Sequence, residues 1–303
     1  MAQESPPVPA SLPSGAAARE RPPSGPAWSG DEILLAGLLV LAFLPALQAM
    51  SQVWRSLDYY SHGFLVPLVS LWSLLRTRPR RRRLPIAPSR AGLLLLGVAL
   101  LVYAVGLATS IVSLQGLGFV AAVAGAVWLR RGLAWLRALA FPVGFLLFMV
   151  PLPESWLAPT ITGLRLLVSQ AAVAVLQALG HPLARDGNVL LLPSGESLFV
   201  ADACSGVTSL VTLTPLAVLV AHFTDRSTLR RILLVLSVVP IALAGNLLRV
   251  VGTVLAAERL GADVASTGPL HEMTGIFTYV LGCIVLLGVG SLLRRVLPDR
   301  RPA

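Results

Sequence analysis

The chain has 303 residues, 55% of them hydrophobic and only 13% charged, with a mean hydropathy of +0.79. A soluble domain carries about twice that charged share, so a soluble fold is excluded. The question becomes how often the chain crosses a membrane, at about 20 apolar residues per crossing. The formal charge is +10, and all 24 basic residues are arginine. They gather in short clusters between apolar stretches, which is how membrane proteins mark cytoplasmic loops. A nucleic-acid footprint would form a basic face or stripe instead, so membrane lipid and not nucleic acid is the expected surrounding.

Residues 1–30 are rich in Pro, Ser, Ala and Gly and read as a disordered cytoplasmic tail. They make a poor signal peptide, because the apolar region starts late and lacks a convincing cleavage site. A single transmembrane domain is expected over residues 31–296, with a short cytoplasmic tail over 297–303. In chain order the expected spans are residues 33–50, 59–75, 91–109, 113–129, 133–150, 206–223, 232–256 and 273–293. The predicted fold class is an all-α polytopic membrane protein of about eight transmembrane helices.

Residues 158–180 are apolar enough to cross but contain Arg165, Ser169, Gln170 and Gln177. Arginine decides their status. The run Arg80, Arg81, Arg82 and Arg83 must be cytoplasmic, which places the N-terminus inside and residues 151–156 outside. If 158–180 does not cross, Arg226, Arg230, Arg231, Arg294 and Arg295 all become cytoplasmic. That topology puts 19 arginines inside and 5 outside, the bias expected of short loops. Residues 158–180 are therefore read as an interfacial or re-entrant helix within an outer-face segment at about 151–205. Two β-prone runs around Pro193-Ser194-Gly195 predict a small hairpin in that segment.

This topology brings three reactive side chains to one face. Cys204 lies just before the sixth span and His271 just before the eighth. Arg249 lies near the outer end of the seventh, roughly 26 Å beyond Ile232 at 1.5 Å per residue. A cysteine attacks as thiolate, and a nearby cation favours that form. A histidine can take the thiol proton and give it to a leaving amine. An arginine can stabilise thiolate, oxyanion or substrate carboxylate. Together they would support acyl transfer through a thioester, to water or to another nucleophile.

Each residue also has a plainer reading. Cys204 could be a small buried residue, Arg249 could snorkel to the headgroups, and His271 could be a loop histidine. Asn246 shares a helix face with Arg249, where it could orient the arginine or pack helices. Asp202 could pair with an arginine or stay solvated. His62, at the start of the second span, is a lesser catalytic candidate. Ser205 and Gly206 do not form a serine-hydrolase elbow. No spacing of Cys and His suggests a metal, and no cofactor is expected. A non-enzymatic component of exopolysaccharide export or assembly is the rival reading.

The chain resembles the exosortase/archaeosortase family of membrane-embedded sorting enzymes. The resemblance rests on Ala203-Cys204-Ser205-Gly206, Asn246-Leu247-Leu248-Arg249-Val250 and His271 before the last span. It extends to Tyr60-Ser61-His62-Gly63-Phe64-Leu65-Val66-Pro67 and to Ala140-Phe141-Pro142 followed by Pro151-Leu152-Pro153. It implies a catalytic trio of Cys204, Arg249 and His271 in a cysteine peptidase or transpeptidase without cofactor. The implied partners are exported proteins with a C-terminal short motif, a transmembrane helix and an Arg-rich tail. The implied place is a bacterial inner membrane with the site facing the periplasm, often beside exopolysaccharide genes. After the histidine, Glu272-Met273-Thr274-Gly275 departs from the Gly and Trp that many members carry, so the short motif is not inherited from the commonest class.

Overall fold

The computed structural model describes residues 29–77, 84–192, 195–199, 206–261 and 269–298. Residues 1–28, and with them nearly all of the expected tail, lie outside these. Helix α1 (Gly30–Ala42) opens on a capping box, with Ser29 and Glu32 each satisfying the other's backbone N–H. It meets α2 (Leu44–Ser56) at a 58° bend. Pro45 stands in the first turn of α2 and cannot donate to the preceding ladder. A 3₁₀ segment (Asp58–Phe64) leads into α3 (Leu65–Arg76).

Helices α4 (Ala91–Ala108) and α5 (Val112–Arg131) form an antiparallel pair. Their contact is built on glycine. A Cβ on Gly118 would lie 3.0 Å from the Ala99 carbonyl oxygen, and one on Gly125 would lie 2.9 Å from the Leu96 nitrogen. Lipid supplies no hydrophobic drive between apolar helices, so close backbone packing must hold them. Next come α6 (Leu133–Ala138), α7 (Ala140–Phe145) and a 3₁₀ turn (Leu146–Met149), followed by the long helix α8 (Glu154–Ala178).

The expected hairpin is present, with one more strand than predicted. Strands β1 (Ala184–Asp186), β2 (Val189–Leu191) and β3 (Ser197–Phe199) form an antiparallel meander in that order. The added turn uses Gly187 at φ +58° beside Asn188, a pairing suited to tight hairpin turns. The chain then re-enters the bundle through α9 (Val207–Thr224), α10 (Thr228–Leu236), α11 (Val238–Leu260) and α12 (Pro269–Val296).

Among the described residues, six helices are long and apolar enough to cross a membrane, or seven if the bent α1–α2 pair is one span. The protein is thus an all-α polytopic bundle, but eight uniform helices are not what it contains. The expected spans 59–75 and 133–150 are assembled from shorter pieces, α3 with its 3₁₀ entry and α6–α7 with their 3₁₀ exit. Conversely, α8 passes the length and apolarity criterion.

Packing defines two ends. At one, the Arg131 guanidinium holds both oxygens of Glu32 at 2.6 Å and lies over Trp135. Asp225 binds Arg230 at 2.8 Å, and Arg230 also donates to the Leu297 carbonyl. His222 stacks on Phe141 at 3.5 Å, and Phe223 meets Trp72, which joins these anchors into one end. A cavity of about 330 Å³ lies there between Glu32, Arg131, Leu74 and Pro142.

At the other end, Met50, Trp54, Tyr60, Phe145, Met149 and Leu157 form one core. Leu157 belongs to the first turn of α8. The last turns of α8 contribute Ala172 and Leu176 to a core shared with Leu190, Leu198, Val250, Val254 and Ala257. Both ends of α8 therefore contact the end of the bundle opposite the arginine anchors.

The glycine contact is testable. Gly118→Leu should destabilise the bundle by about 1–3 kcal/mol through overpacking. Gly97→Leu, on the same hairpin where a Cβ meets nothing within 4 Å, should be near neutral. Melting in detergent, followed by tryptophan fluorescence, compares the two; equal shifts would refute the packing argument.

Candidate functional site

Three helices converge at the end opposite the arginine anchors. Gly206 caps α9 in the left-handed conformation, with φ +80°, which favours glycine. A Cβ there would lie 3.3 Å from the Asn246 Cβ and 3.5 Å from its Nδ2. Asn246 is 4% exposed. The residue two places after Cys204 thus rests on the middle of α11.

One turn along α11, the Arg249 guanidinium lies against α12. A Cβ on Gly275 would be 3.1 Å from its Nη2 and 3.3 Å from its Cζ. A side chain at this position would press on the guanidinium. Gly275 is one turn beyond His271 on the same helix face. His271 itself lies in the first turn of α12. Thr253 and Thr278 bond to carbonyls one turn back on their own helices, so neither needs an outside partner for its hydroxyl.

Of the expected site residues, Gly206, Asn246 and Arg249 come together beside the helix turn that carries His271. Asp202, Cys204 and Ser205 fall outside the described residues, as does the side chain of His271. His62 is placed elsewhere. It sits in the 3₁₀ segment with Nε2 3.2 Å from the Phe148 carbonyl oxygen and its ring beside Tyr60. Among the described residues, no group of three or more His, Cys, Asp or Glu is arranged to hold a metal ion.

The early motifs meet each other. The Leu152 N–H donates to the Tyr60 hydroxyl at 2.6 Å, the Ser70 hydroxyl to the Pro142 carbonyl, and the Trp54 indole N–H to the Met149 carbonyl at 2.9 Å. Residues 60–70 and 142–152, far apart in sequence, thus form one polar seam. It is bordered by a cleft of about 540 Å³ between Tyr59, Ser110, Pro151 and Glu154. Sequence reading singled out both segments but not their union, because each hydrogen bond reaches a backbone group and leaves no residue pattern.

Two features were missed outright. The seating of Arg249 on Gly275 was invisible because a single glycine in an apolar helix is unremarkable by itself. The tie between His181 Nδ1 and Glu258 at 2.7 Å joins the base of the strand meander to the end of α11, and neither residue stands in a motif that points to the other.

The model of one protein family, described as transmembrane exosortase, matches residues 54–288. No curated protein and no solved structure matches the chain significantly.

The placement of His62 predicts a structural role. His62→Ala should lower stability by about 1 kcal/mol, the worth of one ordinary hydrogen bond. His62→Gln, which keeps a donor, should recover part of it. A thermal scan in detergent decides this; an unchanged melting temperature in His62→Ala would overturn it.

Proposed function

This chain belongs to the transmembrane exosortase family, and from that premise we propose that it is a cysteine peptidase or transpeptidase that removes the C-terminal sorting signal of exported proteins. The observation that carries the reading is the convergence at one end of the bundle. Gly206, next but one to Cys204, meets Asn246, and Arg249 meets the turn after His271. Three elements distant in sequence supply what acyl transfer needs.

The Cys204 thiolate attacks the scissile carbonyl carbon, and the carbonyl π electrons move to oxygen. Arg249 supports the thiolate and then the oxyanion. When the tetrahedral species collapses, the C–N bond breaks and His271 gives its proton to the leaving amine. The resulting thioester is opened by water or by another nucleophile, whose proton His271 accepts, and the cysteine is released. Asn246, Ser205 and Gly206 shape the nucleophile's loop, and Asp202 flanks it. No cofactor enters.

The topology follows the same reading. Eight crossings fit the packing: α1–α2, residues 58–76, α4, α5, residues 133–149, α9, α10–α11 and α12. Helix α8 stays on the site's side as an interfacial helix, which accords with both of its ends contacting that end of the bundle. The arginine anchors then face the cytoplasm and the site faces the periplasm of a bacterial inner membrane. A substrate helix with an Arg-rich tail would lie alongside with its tail inside and its short motif at the site.

Cys204→Ala, expressed beside wild type with an exported reporter carrying such a C-terminal signal, should accumulate the full-length reporter. Arg249→Ala and His271→Ala should each slow processing by about 10²-fold or more, with membrane insertion intact. Normal processing in Cys204→Ala would end the cysteine mechanism and leave a non-enzymatic role in export or assembly.

A further inference from the structure

The cavity at the arginine-anchor end takes no part in the sorting chemistry. Its volume is about 330 Å³, within the range of small-molecule pockets, which begins at roughly 300 Å³. Helix α1 lines it from Glu32 to Val40, and α5 from Arg131 back to Phe119. At 1.5 Å per residue these stretches are about 12 and 18 Å long. The cavity is therefore a slot running from the charged end into the depth of the bundle. Below the rim its walls are apolar, with Leu35, Leu39, Val123 and Leu146 among them. Ser70 is the polar side chain among these deeper lining residues, and its hydroxyl donates to the Pro142 carbonyl. Water needs several polar partners to stay in such a place, so the slot favours an apolar chain over water.

Helix α1 leaves the slot open on one side. None of its residues is buried. It is fastened at its two ends. At one, Glu32 binds Arg131. At the other, Phe43 at the bend is fully buried with Ala46, Ala99, Tyr103 and Ala122. Between these ties the slot lies behind it. Val40 on α1 and Leu71 on α3 both line the slot and stay half exposed, so the gap between the two helices faces the hydrocarbon.

The rim has the opposite character. Arg131 is closed into its pair with Glu32, but Arg130 meets Asp31 at 3.5 Å, and the two side chains are 42% and 85% exposed. An ion pair so solvated contributes little, which leaves Arg130 able to serve another anion. The Ala87 N–H donates to the Arg131 carbonyl and the Ser89 N–H to the Leu129 carbonyl, which brings exposed Arg90 to this end. Exposed Arg137 follows Trp135, the ring beneath Arg131. Arg90, Arg130, Arg131 and Arg137 thus outnumber Asp31 and Glu32, and net positive charge surrounds the mouth of an apolar slot.

We propose that this slot binds an anionic glycerophospholipid, with one acyl chain between α1, α3 and α5 and the phosphate at Arg130. A slot open to the bilayer and rimmed by arginine matches both parts of that amphiphile. A zwitterionic lipid brings its own cation to a rim that is already positive. The acyl chain packs α1 against the bundle where protein side chains do not. The site lies at the end opposite the candidate catalytic residues, so the lipid is a ligand and not a reactant. The inference does not depend on the sorting chemistry.

The test uses the purified full-length protein in detergent, with phosphatidylglycerol and phosphatidylcholine of identical chains as probes. Native mass spectrometry measures bound lipid, and a thermal scan follows stability. Phosphatidylglycerol should bind at least about fivefold tighter, the worth of one arginine at the membrane surface, and should raise the melting temperature more. Arg130→Ala should remove most of that preference. Ala36→Trp, on a helix with no buried residue, should fill the slot. It should abolish the lipid-dependent rise without lowering the melting temperature of the lipid-free protein. Val143→Phe fills the slot from the opposite wall and serves if Ala36→Trp does not insert. Equal binding of the two lipids, or wild-type lipid binding in the filled variants, would overturn the proposal. So would filled variants that stop processing an exported reporter while binding lipid normally, because the slot would then receive a substrate helix.

Discussion

The free energy of placing a guanidinium in hydrocarbon orders this molecule. A charge at mid-bilayer depth costs several kcal/mol unless it is paired or escapes to an interface, and every cation here is arginine. At one end Arg131 and Glu32 form a two-bonded pair over Trp135, and Asp225 gathers Arg230 and Arg294. These pairs join the first turn of α1 to the last of α5, and the start of α10 to the end of α12. They act as clasps across the bundle. Breaking one would leave a buried charge, which is far costlier than losing a surface pair. With that end fixed, the opposite end is where the remaining polar backbone and side chains can collect.

What the sequence made legible follows from this. Membrane insertion, the all-α class and the gathering of Arg131, Arg230 and Arg294 at one end are consequences of hydropathy and loop charge, both written residue by residue. The association of Glu32 with Arg131 agrees with that sorting. The span pattern was less legible where helices are interrupted. Pro45 and Pro142 break or redirect the ladder, and the 3₁₀ segment at 146–149 has the same apolar composition as an unbroken helix. Hydropathy averages over such interruptions; hydrogen-bond geometry does not. The strand β1 was overlooked because Ala184-Arg185-Asp186 has no apolar alternation of its own and is held by pairing with β2.

The candidate site was legible as a set of reactive residues but not as a shape. Arg249 and His271 drew notice as polar groups next to or within apolar runs. Arg249 meets α12 at Gly275, and Asn246 meets the start of α9 at Gly206. In each case the deciding residue is one that contributes nothing but room. Such contacts lie beyond any one-dimensional pattern, because a glycine in a transmembrane helix has several ordinary explanations and only the neighbouring backbone selects among them.

Helix α8 meets the length and apolarity of a crossing and also takes part in two separate cores. It is 25 residues long and passes as a span, yet its first turn packs beside Trp54 and Tyr60, and its last turns pack on the far part of α11 and on the strands. Trp156, Leu167 and Leu179 stand exposed along it. Amphipathic helices that rest at an interface present such an apolar edge to the acyl chains while their polar groups face inward or to water. On the interfacial placement proposed above, α8 is also the element by which this end of the bundle meets the membrane surface.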